Sequence, residues 1–582
     1  MSFFTDLAHQ YIDGEWKAGS GSWDIIDFNP YNGEKLASIT VATADEVDQA
    51  YRAAQRAQEA WGATNPYARR AVFERVLRII EDREAEITEA IVDELGGTLV
   101  KAGFELHLAK EFLREAIHLA LAPQGRILPS PDDTKENRLY RVPVGVVGVI
   151  SPFNFPFLLS IKSVAPAIAL GNAVVLKPHQ NAPVLGGSLI AKIFEDAGLP
   201  PGVLNVVITD IAEIGDALID HPVPGAISFT GSDAVGRHVA TVCAQTFKRC
   251  ILELGGNSAL IVLDDADVDY AVDAAVFSRF VHQGQVCMAA NRILVDRSVE
   301  AEFTEKFVAK VKSLKVGDPA SPDTHIGPLI NSSQADGVSS LVTQAVQAGA
   351  TALLHGRTEG NLVAPSVLTD LPEDAPVLRQ EIFGPVALIL PFDGEDEAVR
   401  IANDTPYGLS GAVHTADVER GVRVAHRVKS GMMHINDGTV HDEPIVPFGG
   451  EKHSGVGRLN GDATIEELRA AGVKINPFDL PQLLVDLQVA FEPLLSAREY
   501  PTGLSLPEEL IPVLHAKFTE GYDVVYAQRR TRDGETWFKK ATATAFYRLM
   551  RRMSPMRARF SDGFMPAAGS SSSRTLGPVA MA

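Results

Sequence analysis

Cys287 sits in the stretch FVHQGQVCMAANRI, residues 280–293, and is one of three cysteines in 582 residues. A lone thiol between Val286 and Met288, just after a glycine-containing turn, either fills an apolar gap or attacks something; taken alone, packing is the commoner use. Two other segments could supply partners. LELGGN (252–257) ends a β-like run on Glu253 against a Gly-Gly turn, where a carboxylate either faces solvent or serves as a base aimed into a cleft. SPFNFPF (151–157) sets Asn154 in a proline-bound loop, as a turn residue or as an amide donor to an oxyanion. Thiol, carboxylate and amide donor together are the equipment for acyl chemistry through a thioester.

A nucleotide would need its own seat. The chain has no G-x-G-x-x-G, so the usual dinucleotide fingerprint is absent. In FTGSDAVGR (229–237), Gly231 and Gly236 bracket a strand-to-helix turn and Ser232 stands near the helix start. That is either a plain Gly-Ser cap or, through free N–H groups, a pyrophosphate seat. LKPHQ (176–180) ends an apolar run and places Lys177 either in solvent or where the strand C-termini of an open sheet meet ligand.

The elements that must position these residues are legible in the hydrophobic rhythm. Residues 12–42 alternate short β-like runs with turns. A helix is expected from Thr43, which forms a capping box with Glu46 and presents Val47, Tyr51 and Ala54 on one face. A second, with a break in it, is cued by Asn65 and Pro66 and stops at Gly96-Gly97. From residue 144, VGVVGVIS, AVVLKP, LNVVIT, GAISFTGS and SALIVLDD are nearly continuous apolar runs between helical stretches. Strands of a parallel sheet covered on both faces read this way. The alternation returns after Cys287, with a helix near Phe303–Leu314 and strands near 363–369 and 386–391. The fold class is α/β, with two units meeting near residue 255.

The totals narrow the classes. A chain of 582 residues exceeds one core, and 46% apolar with 22% charged residues is ordinary globular composition. A net charge of −21 argues against nucleic acid or an anionic membrane as main partner. No run approaches the roughly 20 apolar residues of an integral membrane span. The N-terminus has no basic start followed by an apolar core, so no signal peptide is expected, and the cysteine usage fits a reducing, cytoplasmic setting. Three cysteines without zinc spacing imply neither a disulfide framework nor a metal site.

Taken together, seven motifs in order resemble the aldehyde dehydrogenase superfamily over about residues 10–478: SPFNFPF, VVLKP, FTGS, LELGGN, GQVC, EIFGPV (381–386) and PFGGEKHSG (447–455). The resemblance implies residues 1–254 as an NAD(P)-binding domain interrupted by arm strands at about 126–145, residues 255–468 as a catalytic domain, and 469–478 as an oligomerisation strand of a homodimer or homotetramer. It implies Cys287 as nucleophile, Glu253 as the base for the deacylating water, and Asn154 with the Cys287 N–H as oxyanion hole. Lys177 and Glu381 resemble the ribose-binding pair, Ser232 the pyrophosphate contact and Phe383 the residue beside the nicotinamide, with Ser151, Pro152, Phe229, Gly231 and Leu254 as further cofactor contacts. A lowered thiol pKa is expected for a nucleophile. No metal is implied.

Two departures matter. Many NAD-preferring members carry Glu where this chain has Gln180; a neutral amide does not repel a 2′-phosphate, so NAD is expected, with NADP tolerated. HINDGTVHDEPIVPFGG (434–450) resembles the benzaldehyde and vanillin dehydrogenase branch, implying an aromatic aldehyde, and Phe153 and Phe157 are candidates for lining its pocket. The alternatives are a CoA-acylating dehydrogenase and a non-catalytic scaffold of the same fold. Residues 479–566 form a C-terminal extension in which 503–560 resemble a fragment of a family 2 polyprenyl-phosphate-type glycosyltransferase, without its acidic motif. Residues 567–582 are low in complexity and expected to be disordered.

Overall fold

The computed structural model describes residues 3–122, 125–128 and 137–472. The expected extension at 479–566, the tail at 567–582, the end of the oligomerisation strand at 473–478 and the arm residues 129–136 lie outside the described residues. The chain divides into one unit of Met1–Gln124 with Tyr140–Gly472, and a second of Gly125–Leu139 with Val473–Ala582. Of the second, the described part holds the strand Gly125–Leu128.

Two sheets organise the first unit. One has eight strands, with a parallel centre formed by Leu204–Val206, Ala173–Lys177, Val146–Ile150, Pro224–Thr230 and Arg249–Glu253 in spatial order. Gln10–Ile12 and Glu15–Lys17 close one edge, and Gly455–Val456 pairs antiparallel with Arg249–Glu253 at the other. The second sheet runs Thr351–Leu354, Ser366–Thr369, Val386–Phe392, Ala290–Asp296, Ser258–Val262, Gly411–His414 and His434–Ile435. The apolar runs form these strands because helices cover both faces; all five residues of Ser258–Val262 are buried. Leu254–Asn257 is the whole link from the last strand of one sheet's centre to the middle of the other.

Local signals place the helices. Thr43 caps Ala44–Ala63 in a capping box, and Val47, Tyr51 and Ala54 are buried as their spacing predicts. Asn65 caps Pro66–Asp82; the expected break falls at Arg83, and Glu84–Leu95 ends on Gly96 in the left-handed region. Helix Pro156–Ala169 buries Phe157, Ile161, Val164 and Ile168, each contributing about 1.5–3 kcal/mol of hydrophobic stabilisation. It packs on Leu99–Leu119. Tyr140–Pro143 pairs antiparallel with Arg469–Gly472, joining the two segments that the resemblance assigned to the arm.

Candidate active site

Strand register brings the separated motifs together. Ile150 lies beside Lys177 and Phe229, and Thr230 beside Glu253. Asn154, Lys177, Ser232 and Glu253 therefore all follow or finish strands at the C-terminal edge of the first sheet, where open α/β sheets take ligand. Cys287 immediately precedes Ala290–Asp296, at the N-terminal edge of the second sheet. The short Leu254–Asn257 link holds the two edges against each other.

The thiol's loop is staked from several sides. His282 and Gln283 have positive φ, at 49° and 57°, a conformation that costs of order 1 kcal/mol for a residue with a Cβ. Gln283 Nε2 donates to the carbonyls of Gly96 and Pro328, and the Gln285 side-chain oxygen accepts from the Ile330 N–H at 3.0 Å. The Cys287 carbonyl approaches Gly256 so closely that a Cβ there would lie 2.2 Å from it, which explains the second glycine of LELGGN. Asn154 is tied to the same loop through a 3.0 Å donation to the Gln285 carbonyl. Glu253 is held by its backbone: its carbonyl accepts from the Gly231 N–H, and the next N–H, of Leu254, donates to Ser454.

Cys287, Glu253 and Asn154 line one cavity. Its remaining walls are mostly apolar, with Phe104, Phe155 and Phe448 as rings and Leu158, Met288 and Val440 between them. Both Glu253 carboxylate oxygens are buried without a hydrogen-bond partner. Burial pushes its pKa up to about 8, Asp442 adding to the rise while Lys162 and Arg458 oppose it. The Cys287 thiol is pushed up to about 12, first by burial and then by the carboxylates of Glu381 and Glu253. This corrects the expected lowering. The thiol faces three acids, Asp442 being the third, against one cation, Lys162, and no local spacing reveals that balance.

The rings also differ from expectation. Phe157 is fully buried core, and Phe153 packs edge-on against Phe383 at 5.8 Å and beside His179 at 5.1 Å. The aromatic walls come instead from Phe104, Phe155 and Phe448. Sequence reasoning also missed Lys162 and Asp442, which line the cavity as an ion pair at 2.6 Å. A signal existed: Lys162 is the single charge in the helix PFLLSIKSVAPAIA, where Ser160 and Ser163 are the other polar side chains.

The predicted cofactor residues flank this cavity along the strand ends. Lys177 Nζ is half-buried with a 3.4 Å contact to the Pro178 carbonyl, and burial lowers its pKa to about 8. Glu381 accepts from the Gly256 N–H at 3.1 Å; burial raises it to about 7. A Cβ on Gly255 would stand 2.5 Å from that carboxylate. Ser232 caps helix Asp233–Gln245 through Val235 N–H. Ser151 N–H donates to the Lys177 carbonyl, and Pro152 is buried beside it. Phe229 and Leu254 pack in the core beneath Gly231 and Gly236, where a Cβ would meet their side chains at 2.5 and 2.4 Å. Gln180 is exposed. Phe383 has φ 51°, and its carbonyl accepts from Gln334 Nε2. A helix N-terminus, an ammonium and a carboxylate with unspent hydrogen-bonding capacity fit a dinucleotide: phosphates at the first, ribose hydroxyls at the other two.

Comparison with known proteins places the chain in a family. The profile of the aldehyde dehydrogenase family matches residues 16–471. The benzaldehyde dehydrogenase YfmT of Bacillus subtilis is 55% identical over 467 residues, covering 80% of this chain and 96% of that protein. A vanillin dehydrogenase of Corynebacterium glutamicum is 46% identical over 474 residues, covering 81% and 98%. The crystal structure of an NAD-dependent benzaldehyde dehydrogenase from Corynebacterium glutamicum superposes with a TM-score of 0.75 at 42% identity, covering 81% of this chain and 99% of that one. The chain belongs to the aldehyde dehydrogenase family.

Proposed function

We propose that this enzyme oxidises an aromatic aldehyde of the benzaldehyde or vanillin type to its carboxylic acid, with NAD as cofactor and NADP tolerated. The observation that carries the reading is the convergence of a thiol, an unpartnered carboxylate and an amide on one ring-lined cavity. The benzaldehyde and vanillin dehydrogenases among its relatives support the aromatic substrate, and the NAD-dependent structural relative supports the cofactor.

Cys287 Sγ adds to the aldehyde carbon. Its high proton affinity requires the proton to leave as the carbon–sulfur bond forms, and the Glu253 carboxylate in the same cavity is the acceptor at hand. The carbonyl oxygen gains charge between the Asn154 amide and the Cys287 N–H, each such donor being worth about 3–4 kcal/mol in the transition state. NAD, when bound, supplies a two-electron hydride acceptor. Lys177 and Glu381 would hold its ribose hydroxyls and the Ser232 turn its pyrophosphate. Once the proton taken from the thiol has passed to solvent, Glu253 takes a proton from the water that attacks the Cys287 thioester and returns it to the departing sulfur, releasing the acid and restoring the thiol. A base beside the sulfur supports hydrolysis over transfer to CoA.

A homodimer or homotetramer in the cytoplasm is the setting we propose, supported by the pairing of Tyr140–Pro143 with Arg469–Gly472. We read residues 503–560 as a fused glycosyltransferase-like fragment without transferase activity, because its acidic nucleotide-sugar motif is missing. The reading as a whole is tested by NADH formation from benzaldehyde, vanillin and aliphatic aldehydes with wild type and Cys287→Ala. Turnover fastest with the aromatic substrates and abolished in the variant is expected; a variant as active as wild type overturns it.

A further inference from the structure

We infer that Lys162, held by Asp442, is a positioning residue that provides the counter-charge for anions formed at Cys287 and Glu253. This rests on the aldehyde-oxidising reading but concerns Lys162, which lies outside the motifs, and Asp442, which lies in HINDGTVHDEPIVPFGG without a role of its own there. Among the described residues lining the cavity, Lys162 is the one cation, facing the acids Glu253 and Asp442 and the thiol.

The pair is built rather than incidental. Lys162 Nζ lies 2.6 Å from Asp442 Oδ2, with the two side chains 3% and 6% exposed. Its ammonium sits 3.4 Å above the Phe448 ring and 5.2 Å from that of Phe112, a desolvated cation–π arrangement that fixes its position. Asp442 Oδ1 accepts from Asn460 Nδ2 at 2.8 Å, and Asn460 is itself at φ 74°. The two charges come from elements 280 residues apart. Burying them costs desolvation that an apolar pair would avoid. That cost is consistent with a use at the site.

The charge balance explains what the use is. Glu253 faces Lys162, Asp442 and Arg458; Cys287 faces Glu381, Glu253, Lys162 and Asp442. Lys162 is the one group of these that favours both anions from inside the cavity, and Asp442 works against it at both. Asp442 therefore has two opposed effects, orienting the ammonium and weakening its field. A purely structural ion pair has no such asymmetry, since breaking it from either end loosens the same packing.

The test is the rate of iodoacetamide alkylation of Cys287 against pH, read by peptide mass spectrometry on the full chain. It needs no aldehyde turnover, so a wild type that makes no NADH sinks the functional reading without deciding this one. Lys162→Met is expected to slow alkylation about tenfold at fixed pH, the effect of one unit in thiol pKa. Asp442→Asn is expected to speed it, and Lys162→Arg to restore a rate near wild type. If one variant does not fold, the sign of the other decides. Changes of the same sign in both, or no change in either, overturn the inference.

Discussion

Asn154 Nδ2 donates to the carbonyl oxygen of Gln285 at 3.0 Å, two residues before Cys287. One of the amide's two N–H donors is thereby spent on the thiol's own loop, which orients the other relative to the sulfur. The proposed oxyanion donor and the proposed nucleophile are thus tied to one loop, although 133 positions separate them in the chain. Replacing Asn154 by Ala removes the donor and loosens the loop. We expect kcat for benzaldehyde to fall about 100- to 1,000-fold with a smaller change in KM. Steady-state kinetics check this; a loss confined to KM would contradict the assignment.

Glu253 links rate and stability through one titration. In the proposed mechanism its carboxylate is the active base, so acid release is expected to rise with pH and level off above about 8, the value to which burial lifts the group. Glu253→Gln is expected to lose that dependence and slow turnover about 100- to 10,000-fold. For stability, a carboxyl raised by burial from its ordinary range to about 8 favours the protonated folded state. Its contribution is fully present below the unfolded pKa and is lost as pH rises through 8. Glu253→Gln should therefore melt above wild type at pH 9, the gap narrowing by pH 5. Calorimetry at the two values would settle both signs.

Gln180 is exposed at the turn after Lys177, and in the proposed cofactor placement a carboxylate there would repel a 2′-phosphate. Gln180→Glu is expected to raise KM for NADP roughly tenfold relative to that for NAD. Equal effects on the two cofactors would place Gln180 away from the ribose.

Glu105 fastens the helix that follows Asn154. One carboxylate oxygen accepts from the Phe157 and Leu158 N–H groups at 3.0 and 3.2 Å, and the other pairs with Lys101. Both side chains are fully buried. Glu105→Ala strands the ammonium and two helix-start donors, so a loss of about 3–5 kcal/mol is expected in urea unfolding. A loss under about 1 kcal/mol would mean the pair is dispensable.

Much of this enzyme is legible along the chain. The strands appear as short apolar runs because helices bury both faces of each sheet. The helix starts appear at Thr43 and Asn65 because a side-chain oxygen must satisfy free N–H groups there. Cys287, Glu253 and Asn154 stand out because a thiol, an acid and an amide at strand ends and turns are chemically unusual company. What the sequence could not convey is how these groups sense one another. The thiol's raised proton affinity, the rings that form the pocket, and the Lys162–Asp442 pair all depend on burial and on distances between residues far apart in the chain. Electrostatic energy follows separation in space and the exclusion of water, and neither is set until the two sheets have closed on each other.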